Sequence, residues 1–286
     1  MSDITLINDS EQSSLVTNGL AKNGELYLKK AGSTNEGAIV VYDSGSWRTF
    51  ANEATAFSNT YSVNLDGSND YIDCGGNAAF SFTDGSSNDS AFSVSAWVKL
   101  DNANRQRVVA KGNAEWMFGS DGSNNLSLYL WNQGGTAAYL GAYSQTLSTG
   151  VWYHLVCTYD GNESWTGINL YLNGSATSTL NASAGTYTGM SANQGSLRIG
   201  QWATNSSVMD GLIDEVSVFN YELTSSQVSD LYNSGEPADI SSLSPLGWWR
   251  MGDNDGGTGT TITDQGSGGN NGTLTNGPTF STTIPS

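Results

Sequence analysis

Apolar and polar residues alternate with a period of two in a series of short runs between Tyr61 and Gly235. In 91–100, Phe92, Val94, Ala96, Val98 and Leu100 fall on one side of an extended chain, with Ser93, Ser95, Trp97 and Lys99 on the other. Leu126, Leu128 and Leu130 repeat the pattern with Tyr129 and Trp131 opposite. Ile168, Leu170 and Leu172 repeat it again ahead of Asn173-Gly174, a pair suited to a tight hairpin turn. The run 211–219 differs: Ile213 and Phe219 stand on one face and Val216 and Val218 on the other, which predicts a strand buried on both sides. A short helix follows. Thr224 with Gln227 forms a capping box, Val228, Leu231 and Tyr232 make one apolar stripe, and Gly235 and Pro237 end it. No other stretch of this region has the period of a long helix.

Outside these limits the pattern weakens. Residues 1–23 are polar, with Ile4, Leu6, Ile7, Leu15 and Val16 in no fixed period, and predict an extended arm that orders only on a partner. Runs 24–30 and 38–43 read as two strands joined by a Gly/Ser/Asn turn, with 44–50 following. A hairpin of that size is marginal alone, so it must pack on the rest of the chain, on a sister subunit or on another protein.

Composition sharpens the class. The chain has 286 residues with 35 Gly and only 4 Pro, and fits many short strands joined by polar turns around an aromatic core. A net charge of −17 with 10 Lys plus Arg argues against a nucleic-acid backbone as partner and suits solubility, cation binding or display on a crowded surface. No run is long enough for a membrane span, and the first residues lack a basic region followed by an apolar one. Neither membrane insertion nor export by a standard signal peptide is expected. Cys74 and Cys157 lie on separate segments without metal or redox spacing. Cys157, inside a strand-like run, reads as a buried free thiol, with a Cys74–Cys157 disulfide as the alternative.

Several of these segments carry a resemblance. Gly211-Leu-Ile-Asp-Glu-Val216, followed by Tyr221-Glu-Leu-Thr224 and the short helix, resembles the closing segment of laminin-G-like (concanavalin A-like) jelly-roll domains. Asn64-Leu-Asp-Gly-Ser-Asn-Asp-Tyr-Ile72 is similar to their early strand and Phe92-Ser-Val-Ser-Ala-Trp-Val98 to the next buried one. Val151-Trp-Tyr-His-Leu-Val-Cys-Thr-Tyr-Asp-Gly161 and Ile168-Asn-Leu-Tyr-Leu-Asn-Gly174 resemble the central pair. The resemblance implies an all-β, concanavalin A-like jelly-roll β-sandwich. Gly247-Trp-Trp-Arg-Met-Gly-Asp253 and Asp264-Gln-Gly-Ser-Gly-Gly-Asn-Asn-Gly-Thr-Leu274 resemble the segment that usually opens such domains, yet here they come last. A circularly permuted sandwich over 58–286, closed by 245–286, is therefore expected. A truncated second copy, or insertion of the tail into a neighbouring subunit, are the alternatives. Residues 1–57, as arm and hairpin, resemble short β segments near the N-terminus of bacteriophage tail-fibre and other virion proteins.

Candidate chemistry is sparse. Laminarinase-like relatives use glutamates at Glu-x-Asp-x-x-Glu spacing, which is missing here. Asp214 and Glu215 are adjacent, and adjacent strand residues face opposite sides. No Gly-x-Ser-x-Gly elbow occurs and the single histidine, His154, reads as a structural strand residue. No enzyme activity is expected. The family resemblance implies a structural Ca2+ site built from Asp264, Asn270 and Asn271 with Asp214 or Glu215 opposite; calcium takes six to eight oxygen ligands. The segments 66–70 and 121–125 look like calcium loops but lack the glycine and closing glutamate of an EF-hand, and read as turns. Sugar sites use exposed aromatic platforms beside polar groups. Trp116, Trp131, Trp165 and Trp202 lie in or beside polar runs, and Trp165 and Trp202 with Asn205 are the chosen glycan-binding residues. The resulting expectation is a non-enzymatic bacteriophage virion protein, a capsid decoration or tail fibre. Residues 1–57 would hold it to other virion proteins, with a trimer favoured, and the sandwich would face outward, decorating the particle or touching host surface glycans. The alternative is a free or cell-associated calcium-dependent lectin.

Overall fold

The computed structural model describes residues 57–86, 88–132, 138–192, 195–202 and 207–286, and before them Ser10 and the strand segments 5–7, 26–29, 39–43 and 46–50. The chain divides into two units, Met1–Ser58 and Asn59–Ser286. In the first, Thr5–Ile7, Leu26–Lys29, Ile39–Asp43 and Ser46–Phe50 form a four-stranded sheet in that order. Thr5–Ile7 runs parallel to Leu26–Lys29, and the other pairs are antiparallel. Of the expected arm, residues 5–7 form a strand of this sheet; apart from Ser10 the rest of 1–23 lies outside the described residues. A parallel pair needs a long connection and leaves no local hairpin signal, so the sequence pattern could not show it.

The second unit is a sandwich of two sheets, the jelly-roll architecture expected. One sheet has nine strands in the order Leu180–Asn181, Tyr139–Thr146, Asn125–Trp131, Trp116–Ser120, Arg107–Lys111, Leu197–Ile199, Tyr71–Asp73, Gly272–Thr275 and Thr261–Ile262. The other runs Ser175–Ala176, Ile168–Leu172, Trp152–Tyr159, Phe92–Leu100, Asp210–Phe219, Ser62–Asp66 and Thr279–Ser281, with Gly247–Trp249 also paired to Asp210–Phe219. The inward residues of both, among them Phe92, Val94, Val98, Leu126, Leu128, Leu130, Leu170 and Trp249, merge into one buried core. Apolar area removed from water on this scale is the main force holding the sheets together.

The Phe92–Leu100 strand is buried on both faces apart from Lys99, although its sequence alternates. The reason is a cover over its polar side. Trp97 stacks on Tyr232 of the Ser225–Tyr232 helix with ring centroids 5.7 Å apart, and Ser93 Oγ donates to Tyr221 O and accepts from Leu223 N. That helix starts on the capping box of Thr224 and Gln227, both halves of which are formed. It ends at Tyr232, earlier than Gly235, because Asn233 adopts the left-handed conformation (φ 44°).

The tail closes its own sandwich. Gly247–Trp249 pairs with Val216–Val218, Gly272–Thr275 with Tyr71–Asp73, and Thr279–Ser281 with Ser62–Asn64. Trp249 is fully buried and its Nε1 donates to Asn270 O at 2.8 Å. Neither a second copy nor a neighbour is needed to complete the sheets. Cys74 and Cys157 are buried free thiols, so the disulfide alternative falls.

Candidate functional site

The outer face of the nine-stranded sheet carries an aromatic cavity. Alternation puts Leu126, Leu128 and Leu130 inward, so Tyr129 and Trp131 project outward. Register then aligns their neighbours: Tyr129 lies opposite Met117 on one side and Gly141 on the other, and Trp131 lies opposite Tyr139. A Cβ at Gly141 would sit 2.6 Å from Tyr129 Cδ1, so the glycine leaves room for the tyrosine ring. Trp202 stacks on Trp131 with centroids 4.9 Å apart and planes 17° from parallel. The Arg107 guanidinium sits 5.3 Å from the Trp202 ring centroid, and Nη1 donates to Met117 Sδ at 3.0 Å. Together with Arg105, Asp121 and Tyr139 these residues line a cavity of about 190 Å³. Aromatic faces beside polar donors are what the apolar face and hydroxyl rim of a sugar require.

Of the residues chosen from sequence, Trp202 is in this cavity. Trp165, in the turn Trp165–Gly167, packs against the core between the sheets instead. Asn205 lies outside the described residues. Arg107, Met117, Tyr129 and Tyr139 lie on strands and carry no loop-tryptophan signature; the outward positions of Tyr129 and Trp131 in their strand are the signal in the sequence. Trp116 is fully buried and donates to Phe80 O, a packing role.

A second cluster lies at the middle of the Asp210–Phe219 strand. Its pairing with Phe92–Leu100 shifts register between Asp214 and Ser217, and Glu215 has φ +43°. This bulge corrects the expectation that Asp214 and Glu215 face opposite sides: one ligand atom from each, with one from Asp253, lie within 4.8 Å of one another. Asp214 and Glu215 are both buried. Arg250 Nε donates to Glu215 Oε1 at 2.8 Å and Trp248 Nε1 to Oε2 at 2.6 Å. Asn59 Nδ2 donates to Asp214 Oδ2 and Thr60 N to Asp253 Oδ1, each at 2.8 Å. Burial pushes the Glu215 carboxyl up to about 7 despite Arg250 and Trp248. It raises Asp214 well above the carboxylate range, with Glu215 adding to the shift. Three carboxylates meet one guanidinium, and Asn59 Oδ1 and Asp253 Oδ2 are buried without a hydrogen-bond donor, the latter 3.5 Å from Arg250 Nη2. An oxygen-rich set with that charge excess fits a hard divalent cation such as Ca2+. It does not fit glycoside hydrolysis, because a glycosidic bond has no access to the buried pair.

Asp264, Asn270 and Asn271 form a network of their own. Asp264 Oδ1 accepts from Trp248 N and Gly266 N, both at 2.8 Å, and Oδ2 from Asn270 N at 2.7 Å. Asn271 Oδ1 accepts from Asp264 N, and Asn270 Oδ1 from Asn77 Nδ2. These bonds pin the tail loop to the sandwich. The segments 66–70 and 121–125 are turns, each closed by backbone N–H groups donating to Asp66 and Asp121.

Residues 66–229 match the family described as the concanavalin A-like lectin/glucanases superfamily, of laminin-G type. The chain belongs to that superfamily. The match ends before the tail strands that complete the two-sheet sandwich. No curated protein matches this superfamily member in sequence. Among solved structures, a candidate carbohydrate binding protein of Bacteroides ovatus overlaps 92% of this chain and 71% of its own, with 20% identity and a TM-score of 0.56. A CBM40 of the Ruminococcus gnavus IT-sialidase, bound to α2,3-sialyllactose, covers 60% of this chain and 96% of its own at 13% identity and TM-score 0.45. A pentraxin of Limulus polyphemus covers 62% and 84% at 17% identity and TM-score 0.42. At such identities the likeness speaks for the fold alone.

Proposed function

We propose that the Asn59–Ser286 unit is a non-catalytic glycan-binding module whose site is the cavity around Trp202. The observation that carries this reading is the stack of Trp202 on Trp131 beside Arg107, an aromatic platform with polar groups at its edge on the outer face of the sheet. Membership of a lectin/glucanase superfamily supports it, as does the burial of the adjacent carboxylates that a hydrolase would need open. In the fuller form of the proposal the module is displayed on a bacteriophage virion, as a capsid decoration or tail fibre. The Met1–Ser58 unit attaches it there and a trimer multiplies weak sugar contacts. A free or cell-associated calcium-dependent lectin is the second reading, favoured by the Asp214, Glu215 and Asp253 cluster.

The test is binding of labelled protein to a glycan panel and to bacterial cells, with recovery of the protein from purified particles alongside. Trp202→Ala is expected to weaken glycan binding by about tenfold or more, equivalent to ~1.4 kcal/mol. Trp165→Ala should lower stability and leave affinity unchanged. Equal affinity for wild type and Trp202→Ala rejects the site, and absence from particles rejects the virion role.

A further inference from the structure

We infer that the sugar taken by the Trp202 cavity is an acidic one, held through its carboxylate by Arg107. This rests on the glycan-binding reading and adds the ligand class. Arg107 is only 3% exposed, its Nε has no hydrogen-bond partner, and Nη1 meets a thioether sulfur, a weak acceptor. A cation taken out of water ordinarily has a carboxylate beside it. Among the described residues, Lys111 pairs with Glu115, Arg198 with Asp73, and Arg250 with Glu215 and Asp253. Arg107 has no ion pair among the described residues. Burial, with Arg105 nearby, lowers its guanidinium to about 10, which leaves it charged at neutral pH.

The surroundings point the same way. Arg105, exposed at the cavity's edge, adds a second cation, although acidic residues outnumber basic ones 27 to 10 in the chain. The Trp202 Nε1 is a buried donor without an acceptor. Asp121 is the carboxylate in the cavity wall, and its oxygens are taken by Ser123 N, Asn125 N and Asn125 Nδ2. The cavity thus holds unmet donors, and the one carboxylate in its wall is already hydrogen-bonded. A carboxylate supplies two acceptor oxygens and a charge, and the planar guanidinium is the side chain suited to receive it.

Calorimetric titration of the full chain tests this with matched sugars. One pair is a uronic acid oligosaccharide and its carboxyl-reduced neutral twin; the other is a sialylated oligosaccharide and its reduced twin. At least one acid should bind tenfold or more tighter than its twin, and which acid does so identifies the source of the carboxylate. Arg107→Gln should erase the difference. Because a buried position can fail to fold when changed, Arg105→Gln serves as the second variant and should narrow the difference between the acid and its neutral twin several-fold. Equal affinity for acid and twin overturns the inference and leaves glycan binding standing. Binding to neutral sugars alone does the same. No binding to any sugar, by protein with an intact melt, overturns both.

Discussion

His154 illustrates how burial alone settles the role of a titratable side chain. It is 1% exposed, its Nε2 lies 2.8 Å from Ser95 Oγ, and the rings of Trp97 and Tyr232 flank it at 4.9 and 6.0 Å. Desolvation holds its imidazole down to about 3, against an ordinary value of 6.5. The unfolded chain therefore takes up a proton below 6.5 that the folded chain refuses. Stability from this residue is whole above that value and is lost as pH falls from 6.5 toward 3, by up to about 1.4 kcal/mol per pH unit. The buried Asp214 and Glu215, whose carboxyls are raised, slope the opposite way, so the difference between wild type and a variant is the useful quantity. His154→Gln is expected to show a shallower acid loss in urea unfolding between pH 6.5 and 4.5. Parallel pH profiles would refute the assignment. The structural reading of His154 was available from its strand position. The orphaned charge of Arg107 was not, because a missing partner is visible only once neighbouring strands are in register.

At the scale of elements, the alternation rule served well for strands with regular pairing and failed where pairing breaks. Leu126 to Trp131 divides between core and outer face as its pattern predicts. The Asp214–Glu215 step does not, because a bulge adds a residue on one strand and rotates the following side chains. Sequence spacing carries no mark of such a shift. It also hid Asp253, which reaches the cluster only because the Gly247–Trp249 strand pairs beside Val216–Val218. The tail strands, by contrast, were legible, since their motifs resemble the opening of the family's domains and first and last strands lie together. Deleting 244–286 removes strands from both sheets and exposes Ile72, Val216 and Phe80, all fully buried. The truncated protein is expected to lose its cooperative thermal transition in calorimetry; an unchanged transition would show that the tail is dispensable.

For the molecule as a whole, the carboxylate cluster joins three distant parts of the chain: Asn59 and Thr60 at the start of the sandwich, Asp214 and Glu215 at its centre, and Arg250 and Asp253 in the tail. A cation held there would bind the folded state and have no such site in the unfolded one. Calcium at a hundredfold excess over its dissociation constant would add about 2.7 kcal/mol, raising the melting temperature by roughly 5–10 °C for a unit of this size. Asp253→Asn should abolish the response to calcium and to chelator. A melt of the wild type that ignores both would leave the cluster as an internal ion-pair network. The same closure sets a schedule for synthesis. Ser62 Oγ donates to Thr283 O, 221 positions later, and the Thr279–Ser281 strand pairs against Ser62–Asn64. At about 5–20 residues per second the ribosome takes roughly 10–45 s to deliver that partner. Until then one edge of the sheet stands open with its apolar face wet, so the nascent chain is the form most exposed to aggregation, and the arrival of Thr279–Ser281 is what ends that exposure.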